Sequence, residues 1–244
     1  MKFKERLVKG TIIKRYKRFL TDVELQEDFL DYKKAQVITA HTANTGSMKT
    51  CWEPGWDVLL SHHDNPKRKL KFSLEMTHNS QTWIGINTSL PNKISRDAIL
   101  NKEIKELNHF ENVKPEVKIG NSRIDLLCYN GTDHKSATEK CYVEVKNVTL
   151  LGENSIALFP DSVSVRGQKH LRELIDLKKS GIDAAMLYII QREDINSFSP
   201  AKDIDPEYAR LVKEAYSCGV MILAYQCSLS EKEIAISRAV KVII

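Results

Sequence analysis

Little in this chain marks it for a membrane or for export. No apolar run approaches the roughly 18 residues that span a bilayer. The basic start, MKFKERLVKG, is followed by neither a long apolar stretch nor a small-residue cleavage site. Cysteine is scarce: five in 244 residues, at positions 51, 128, 141, 218 and 227, with no CxxC pair. That excludes a zinc ribbon and a disulfide framework, and it fits reduced thiols in a cytoplasm. No helix-turn-helix pattern is present, which removes the commonest module for reading DNA sequence. Internal repeats and low-complexity tracts are absent too. A cytoplasmic protein with no membrane partner is the expectation.

Net charge is small, 37 basic against 32 acidic residues, but it is unevenly placed. Residues 1–88 hold 15 Lys and Arg against 10 Asp and Glu, whereas residues 89–244 hold 22 of each. All the positive excess therefore lies in the first third. Such an excess permits contact with nucleic acid without requiring it, since a lysine-rich soluble protein would look the same.

What is present divides at about residue 88. Residues 1–88 read as several short strands and turns, around 7–19, 37–40, 58–60, 72–77 and 83–86. That density suggests a small barrel or a sandwich. Asn, Ser and Pro91 mark a junction, and Ser95 is a candidate cap for a helix with Ala98, Ile99, Ile104 and Leu107 on its apolar face. Three strands follow, around 117–119, 123–129 and 141–148. Then come a helix over 163–179, an apolar strand over 184–190, a helix over 206–218 opened by Asp205 and Pro206, and a strand over 220–225. This order predicts an α/β sandwich over 89–244.

One group of residues in that sandwich carries chemistry. Asp125 lies within S-R-I-D-L-L, and Glu144 and Lys146 lie within C-Y-V-E-V-K. Strand alternation puts Glu144 and Lys146 on one side of their strand, and Val143 and Val145 on the other. Charged side chains in apolar strands are costly unless compensated. Asp125 and Glu144 offer hard oxygen ligands to Mg²⁺ or Mn²⁺, with the Val145 carbonyl as a third. Lys146 could orient a water or stabilise charge on a phosphorane. Glu103 or Glu106, placed on the preceding helix, would add a ligand, and Glu103 is preferred. Together these describe a site for phosphodiester hydrolysis. A plainer reading also stands: Glu144 and Lys146 neutralise each other, and Asp125 pairs with Arg123.

Downstream, F-P-D-S-V-S-V-R-G-Q-K-H-L-R-E-L crowds cations into the start of a helix. Gln168 could hold water or phosphate there, while Arg166, Lys169 and Arg172 could contact a nucleic-acid backbone. His170 reads equally as a packing residue or as an acid or base. Near the N-terminus, Arg15, Tyr16, Lys17 and Arg18 interleave cations with an aromatic, as in a groove that binds phosphates and stacks bases. Phe19 is a second candidate platform for a base, or a core residue, since alternation does not put all of these side chains on one face. Lys67, Arg68, Lys69 and Lys71 form a second basic cluster in a loop. Trp52, Trp56 and Trp83 read as core.

These segments resemble the sugar fermentation stimulation protein A family. The resemblance rests on R-Y-K-R-F-L at 15–20, N-T-G at 44–46, S-R-I-D at 122–125, Y-V-E-V-K-N-V-T-L at 142–150, the 159–174 block and F-S-P-A at 198–201. It covers almost the whole chain. It implies an N-terminal OB-like β-barrel followed by a restriction-endonuclease-like α/β sandwich of the PD-(D/E)xK type. By similarity Asp125, Glu144 and Lys146 match the motif, Glu103 the acidic residue of the first helix, and Gln168 a helix glutamine. The implied function is DNA binding, largely through the DNA backbone, linked to regulation of sugar fermentation, with a Mg²⁺-dependent nuclease as the activity. A non-catalytic DNA-binding transcriptional regulator on a nuclease-like fold is the alternative. A third reading is a scaffold with a merely structural acidic site. A homodimer fits this fold, because cutting both strands of a duplex needs two sites. Ala43 stands where the family usually has Pro, and Ile124 stands where the nominal motif has Pro before its Asp.

Overall fold

The computed structural model describes residues 1–119 and 122–244. The first six strands are β1 (Val8–Tyr16), β2 (Leu20–Leu25), β3 (Val37–Thr42), β4 (Asp57–His62), β5 (Phe72–His78) and β6 (Trp83–Gly85). They form one sheet in the order β3-β2-β1-β4-β5-β6, and a further pairing of β3 with β5 closes it into a barrel. The closing pair is parallel, with Ala40 opposite Phe72 and Thr42 opposite Leu74. Closure removes most of the exposed edge. Alternating apolar residues, among them Val8, Ile12, Val23, Val58, Leu60 and Leu74, fill the interior. Trp52 and Trp56 pack against this core from its margin.

The second unit begins with helix α1 (Pro91–Leu100), followed by β7 (Asn112–Ile119), β8 (Ser122–Tyr129), β9 (Lys140–Val148), β10 (Leu150–Leu151) and β11 (Ile156–Phe159). Next come α2 (Val165–Lys179), β12 (Asp183–Ile190), β13 (Ser197–Pro200), α3 (Pro206–Ser217), β14 (Met221–Leu229), β15 (Ile234–Ala239) and β16 (Lys241–Val242). Six strands make the main sheet in the order β15-β14-β12-β9-β8-β7. The strands β9, β12 and β14 are parallel to one another, while β7, β8 and β15 run antiparallel to their neighbours. A small second sheet, β10-β11-β13-β16, stands beside it.

Period-two alternation in β12 divides its side chains between two cores. Ala185, Leu187 and Ile189 join α1 on one face, with Val143 and Val145 of β9. Ala184, Met186, Tyr188 and Ile190 join α2 and α3 on the other. A strand covered on both faces must be apolar throughout, which is why it reads as an unbroken hydrophobic run.

The first helix corrects the sequence expectation. Proline sets its own φ and has no N–H to lose, so Pro91 occupies the first helical position and Leu90 the cap. Ser95 therefore sits inside the helix rather than capping it. The helix ends at Leu100, so Glu103 and Ile104 fall beyond it, and Leu107 closes a short 3-10 turn. By contrast α3 starts as its sequence indicates: the Asp205 carboxylate accepts the Tyr208 N–H at 2.9 Å.

Barrel and sandwich are clamped together by Arg192. Its side chain is 1% exposed and its guanidinium makes two bonds to Asp194, at 2.6 and 2.7 Å. The remaining Nη1 donates to the Thr149 carbonyl at 2.7 Å and to the Thr50 carbonyl at 3.3 Å. Gly85 of the barrel donates its N–H to the Gln191 carbonyl next door at 2.9 Å. Any Cβ at Gly85 would lie 2.4 Å from Gln191 Oε1, so glycine is required for this approach. Removing one member of a buried ion pair strands its partner, at a cost of about 3–5 kcal/mol. Arg192→Ala is expected to lower unfolding stability by that order in urea titrations, and a loss below about 1 kcal/mol would mean the clamp is not needed.

Candidate active site

Strands β8 and β9 pair from Tyr129↔Lys140 to Leu126↔Val143, and the ladder stops there. Asp125 and Glu144 are the next residue on each strand, where the two diverge. Divergence leaves the Val145 N–H without a ladder partner on β8, and the Asp125 carboxylate takes that place, with Val145 N donating to Oδ2 at 2.9 Å. The other oxygen, Oδ1, accepts from Asn92 Nδ2 at 2.9 Å. Asn92 lies in the first turn of α1, so the Pro91 start of that helix is what aims it.

Glu144 is 1% exposed and points toward α2. Its Oε1 accepts from Lys146 Nζ at 2.6 Å and from His170 Nδ1 of α2. Its Oε2 is buried and has no hydrogen-bond partner. The helix bringing His170 is fixed at its start by Asp205. That carboxylate accepts the Ser164 N–H at 2.8 Å and the Gln168 side-chain amide at 2.9 Å, so the caps of α2 and α3 share one acceptor. A Cβ at Gly167 would meet Tyr208 at 3.0 Å, and its absence lets α2 lie close over α3.

The two carboxyls are driven apart in acidity. Burial raises Asp125, the neighbouring Glu144 charge raises it further, and the bonds from Val145 and Asn92 do not offset this. Burial also pushes Glu144 up, but the hydrogen bonds from His170 and Lys146, together with the Lys146 charge, outweigh it and hold Glu144 below its ordinary value. Glu144 is the settled anion, and Asp125 takes up a proton first as pH falls.

A cleft of about 280 Å³ opens beside Lys146 and Val145, and its far wall is the barrel loop carrying Asn44 and Gly46. That loop is held by three residues. Arg15 donates to the carbonyls of Asn44 at 2.9 Å and Gly46 at 3.1 Å. Asp161, just after the Phe159–Pro160 step, accepts from Ser47 N at 2.9 Å and Ser47 Oγ at 2.8 Å. Thr88 donates its N–H to the Ala43 carbonyl at 3.1 Å. With Ala43 in place of proline, the loop is fixed by these hydrogen bonds.

Of the sequence candidates, Asp125, Glu144 and Lys146 gather at one place, and His170 joins them. Arg123 does not pair with Asp125; it bonds Glu116 at 2.8 Å. The expected Glu144–Lys146 ion pair does form, within the site itself. Glu103 does not join: it is exposed, beyond α1, and lines another groove with Asp97, Asn101 and Glu233. Glu106 accepts from Tyr225. Among the described residues, no three His, Cys, Asp or Glu side chains form a ready metal cage. Gln168 spends its amide on Asp205.

The basic candidates separate into two kinds. Arg15 is engaged by the loop carbonyls, Tyr16 bonds Asp22 at 3.0 Å, Lys169 and Arg172 pair with Glu173 and Glu207, and Arg68 bonds Ser73 at 2.6 Å. Lys17, Arg18, Lys67, Lys69 and Arg166 are exposed or half-exposed and form no salt bridge among the described residues. Phe19 is 44% exposed, not core. Asn92 is not marked by the sequence, and His170 is marked only as a packing residue or an acid or base. The alternation of β9 orients Glu144, but only the packing of α1 and α2 reveals these two partners.

Two family models match, the SfsA N-terminal OB domain over residues 13–86 and the sugar fermentation stimulation protein RE domain over 89–233. The chain belongs to the sugar fermentation stimulation protein family. A homolog from Geotalea daltonii is 46% identical over 239 residues, covering 98% of this chain and 97% of that one. A homolog from Desulfotalea psychrophila is 47% identical over 230 residues, covering 94% and 92%. The solved structure of Pyrococcus furiosus SfsA in complex with Ca²⁺ is 28% identical, with a TM-score of 0.83, covering 100% of this chain and 98% of that one. The architecture is thus an OB-like barrel followed by a restriction-endonuclease-like domain. Among the described residues, no helix is long and apolar enough to cross a membrane.

The acidity of Asp125 gives a test. A folded-state value above the unfolded one means its stabilising contribution is complete below about pH 4, the ordinary aspartate value, and is lost as pH rises through the folded value. Asp125→Asn mimics the protonated form. In metal-free urea titrations its stability relative to wild type should rise from pH 4 to pH 7; a relative fall would contradict the assignment.

Proposed function

We propose that this protein binds nucleic acid and hydrolyses its phosphodiester bonds with the help of a divalent cation. The observation that carries this reading is the buried, unpartnered Oε2 of Glu144, one residue past the strand split and beside Asp125. A desolvated carboxylate oxygen without a donor is costly, and a cation would offset that cost.

The residues present fit a hard divalent ion such as Mg²⁺ or Mn²⁺. Asp125 uses two of about four acceptor positions, and Glu144 keeps a whole oxygen free. Asp125 and Glu144 would hold the ion, without Glu103. When bound, such an ion polarises a phosphate oxygen and lowers the pKa of water beside it. The chain's own groups supply the rest. Asn92 and the Val145 N–H fix the direction of Asp125. His170 fixes the direction of Glu144. Lys146 lines the cleft and offers a positive N–H donor to a phosphate oxygen or an attacking water. The barrel supplies the opposite wall, so a nucleic-acid chain in the cleft touches both domains.

Three measurements test this. Mg²⁺ or Mn²⁺ at about 100 times its Kd should stabilise wild type by about 2.7 kcal/mol, and Asp125→Asn and Glu144→Gln should abolish that gain. Labelled DNA and RNA, single- and double-stranded, should be cut in the presence of metal. Lys146→Ala should cut about 10²–10⁴-fold more slowly while still binding. Identical products from wild type and Asp125→Asn would overturn the hydrolytic reading. Binding without cutting in every condition would leave a non-catalytic DNA-binding regulator.

A further inference from the structure

We infer that the cleft between barrel and sandwich takes a single strand of nucleic acid, with Phe19 stacking on one of its bases. This rests on the reading of the cleft as a nucleic-acid site and specifies what enters it.

The cleft is about 280 Å³, at the lower limit of the roughly 300–1,000 Å³ that accepts a small ligand. That suits about one nucleotide unit, whereas a duplex presents a body whose major groove alone is about 12 Å wide. The gap is also fixed. Ser47–Asp161 and Arg192–Thr50 cross from one domain to the other. Opening the gap to duplex width would break these bonds together.

Cations and an aromatic stand on the turn tied to the cleft wall. One nitrogen of Arg15 donates to the carbonyls of Arg18 at 2.5 Å, Asn44 at 2.9 Å and Gly46 at 3.1 Å. The turn between β1 and β2, residues 17–19, is thereby tied to the loop that forms the cleft wall. Lys17 and Arg18 both adopt positive φ, 49° and 64°, a conformation that favours glycine or asparagine. Two bulky cations held there are a local strain kept by the surrounding bonds. The turn ends in Phe19, whose ring is 44% exposed while its carbonyl accepts the Thr42 N–H at 2.8 Å. An exposed aromatic next to exposed cations is the arrangement that binds single strands, by stacking on bases and pairing with phosphates. Across the cleft, Asp161 leads into the α2 turn bearing Arg166, which is exposed and forms no salt bridge among the described residues. Lys146 lines the slot, and exposed cations stand on elements joined to either wall: Lys17 and Arg18 on the turn bonded to the barrel loop, and Arg166 in the helix turn after Asp161. A duplex buries its bases in the stack and offers no free face to Phe19.

Fluorescence anisotropy of the full chain in EDTA, where no strand is cut, tests this at one fixed salt concentration. The probes are a labelled single-stranded DNA, an RNA of the same sequence and the blunt DNA duplex. Single strands should bind at least about tenfold more tightly than the duplex, and the DNA and RNA arms decide which sugar is preferred. Phe19→Ala should weaken single-strand binding about 5–150-fold with an unchanged salt slope, and Phe19→Trp should restore it. Arg18→Ala should reduce the slope by about 0.7. Equal affinity for duplex and single strand, or no effect of Phe19→Ala in a chain that melts like wild type, would overturn the inference. Loss of cleavage alone would sink the hydrolytic reading and leave this one standing, because binding is measured without it.

Discussion

The arrangement depends on a sheet that comes apart at one place. Antiparallel pairing between β8 and β9 could not continue past Leu126↔Val143 without setting Asp125 and Glu144 directly opposite each other, where like charges repel. The strands diverge instead. The backbone N–H that this releases is recovered by Asp125, and the carboxylate that it buries is balanced by Lys146 and His170. Each compensation fixes a side chain in direction. Repulsion within the sheet thus becomes the source of order in the site, and it leaves one oxygen of Glu144 unanswered.

The barrel is part of that site. Its loop at 44–46 faces Lys146 across the cleft, and the bonds holding the loop come from both domains. Arg15 shows how a basic residue in such a protein can serve the protein itself. Its charge is spent on backbone carbonyls, which frees the neighbouring turn to present Lys17, Arg18 and Phe19 outward. A count of cations along the chain does not distinguish these two uses.

Much of this was legible beforehand because it follows from local rules. Strand alternation places Glu144 and Lys146 on one side, an unbroken apolar run marks β12, and Asp205 with Pro206 announces α3. The closed barrel needed the family resemblance, since short strands alone fit a sandwich equally well. The first helix differs from its sequence expectation because Ser95 resembles a cap, whereas Pro91 outranks it as a first-turn residue. That expectation carried Glu103 into the site and left Asn92 out. His170 and the exposure of Phe19 depend on how α2 and the first hairpin pack, contacts that no spacing in the chain encodes. The short strands β10, β11, β13 and β16, two to four residues each, are too brief to leave a periodic trace.

The junction at residues 86–90 has a consequence of its own. Ile86 donates to the Glu75 carbonyl, Thr88 to that of Ala43, and the Asn87 amide to the Glu75 carboxylate, all before α1 begins at Pro91. No slack separates the last barrel strand from the helix turn that holds Asn92 against Asp125. An insertion here would rotate or displace that turn, so the length of the connector sets the aim of Asp125 as much as the bond from Asn92 does. The barrel thus reaches the aspartate through the connector, and the second fold without the first would need another way to seat that helix turn.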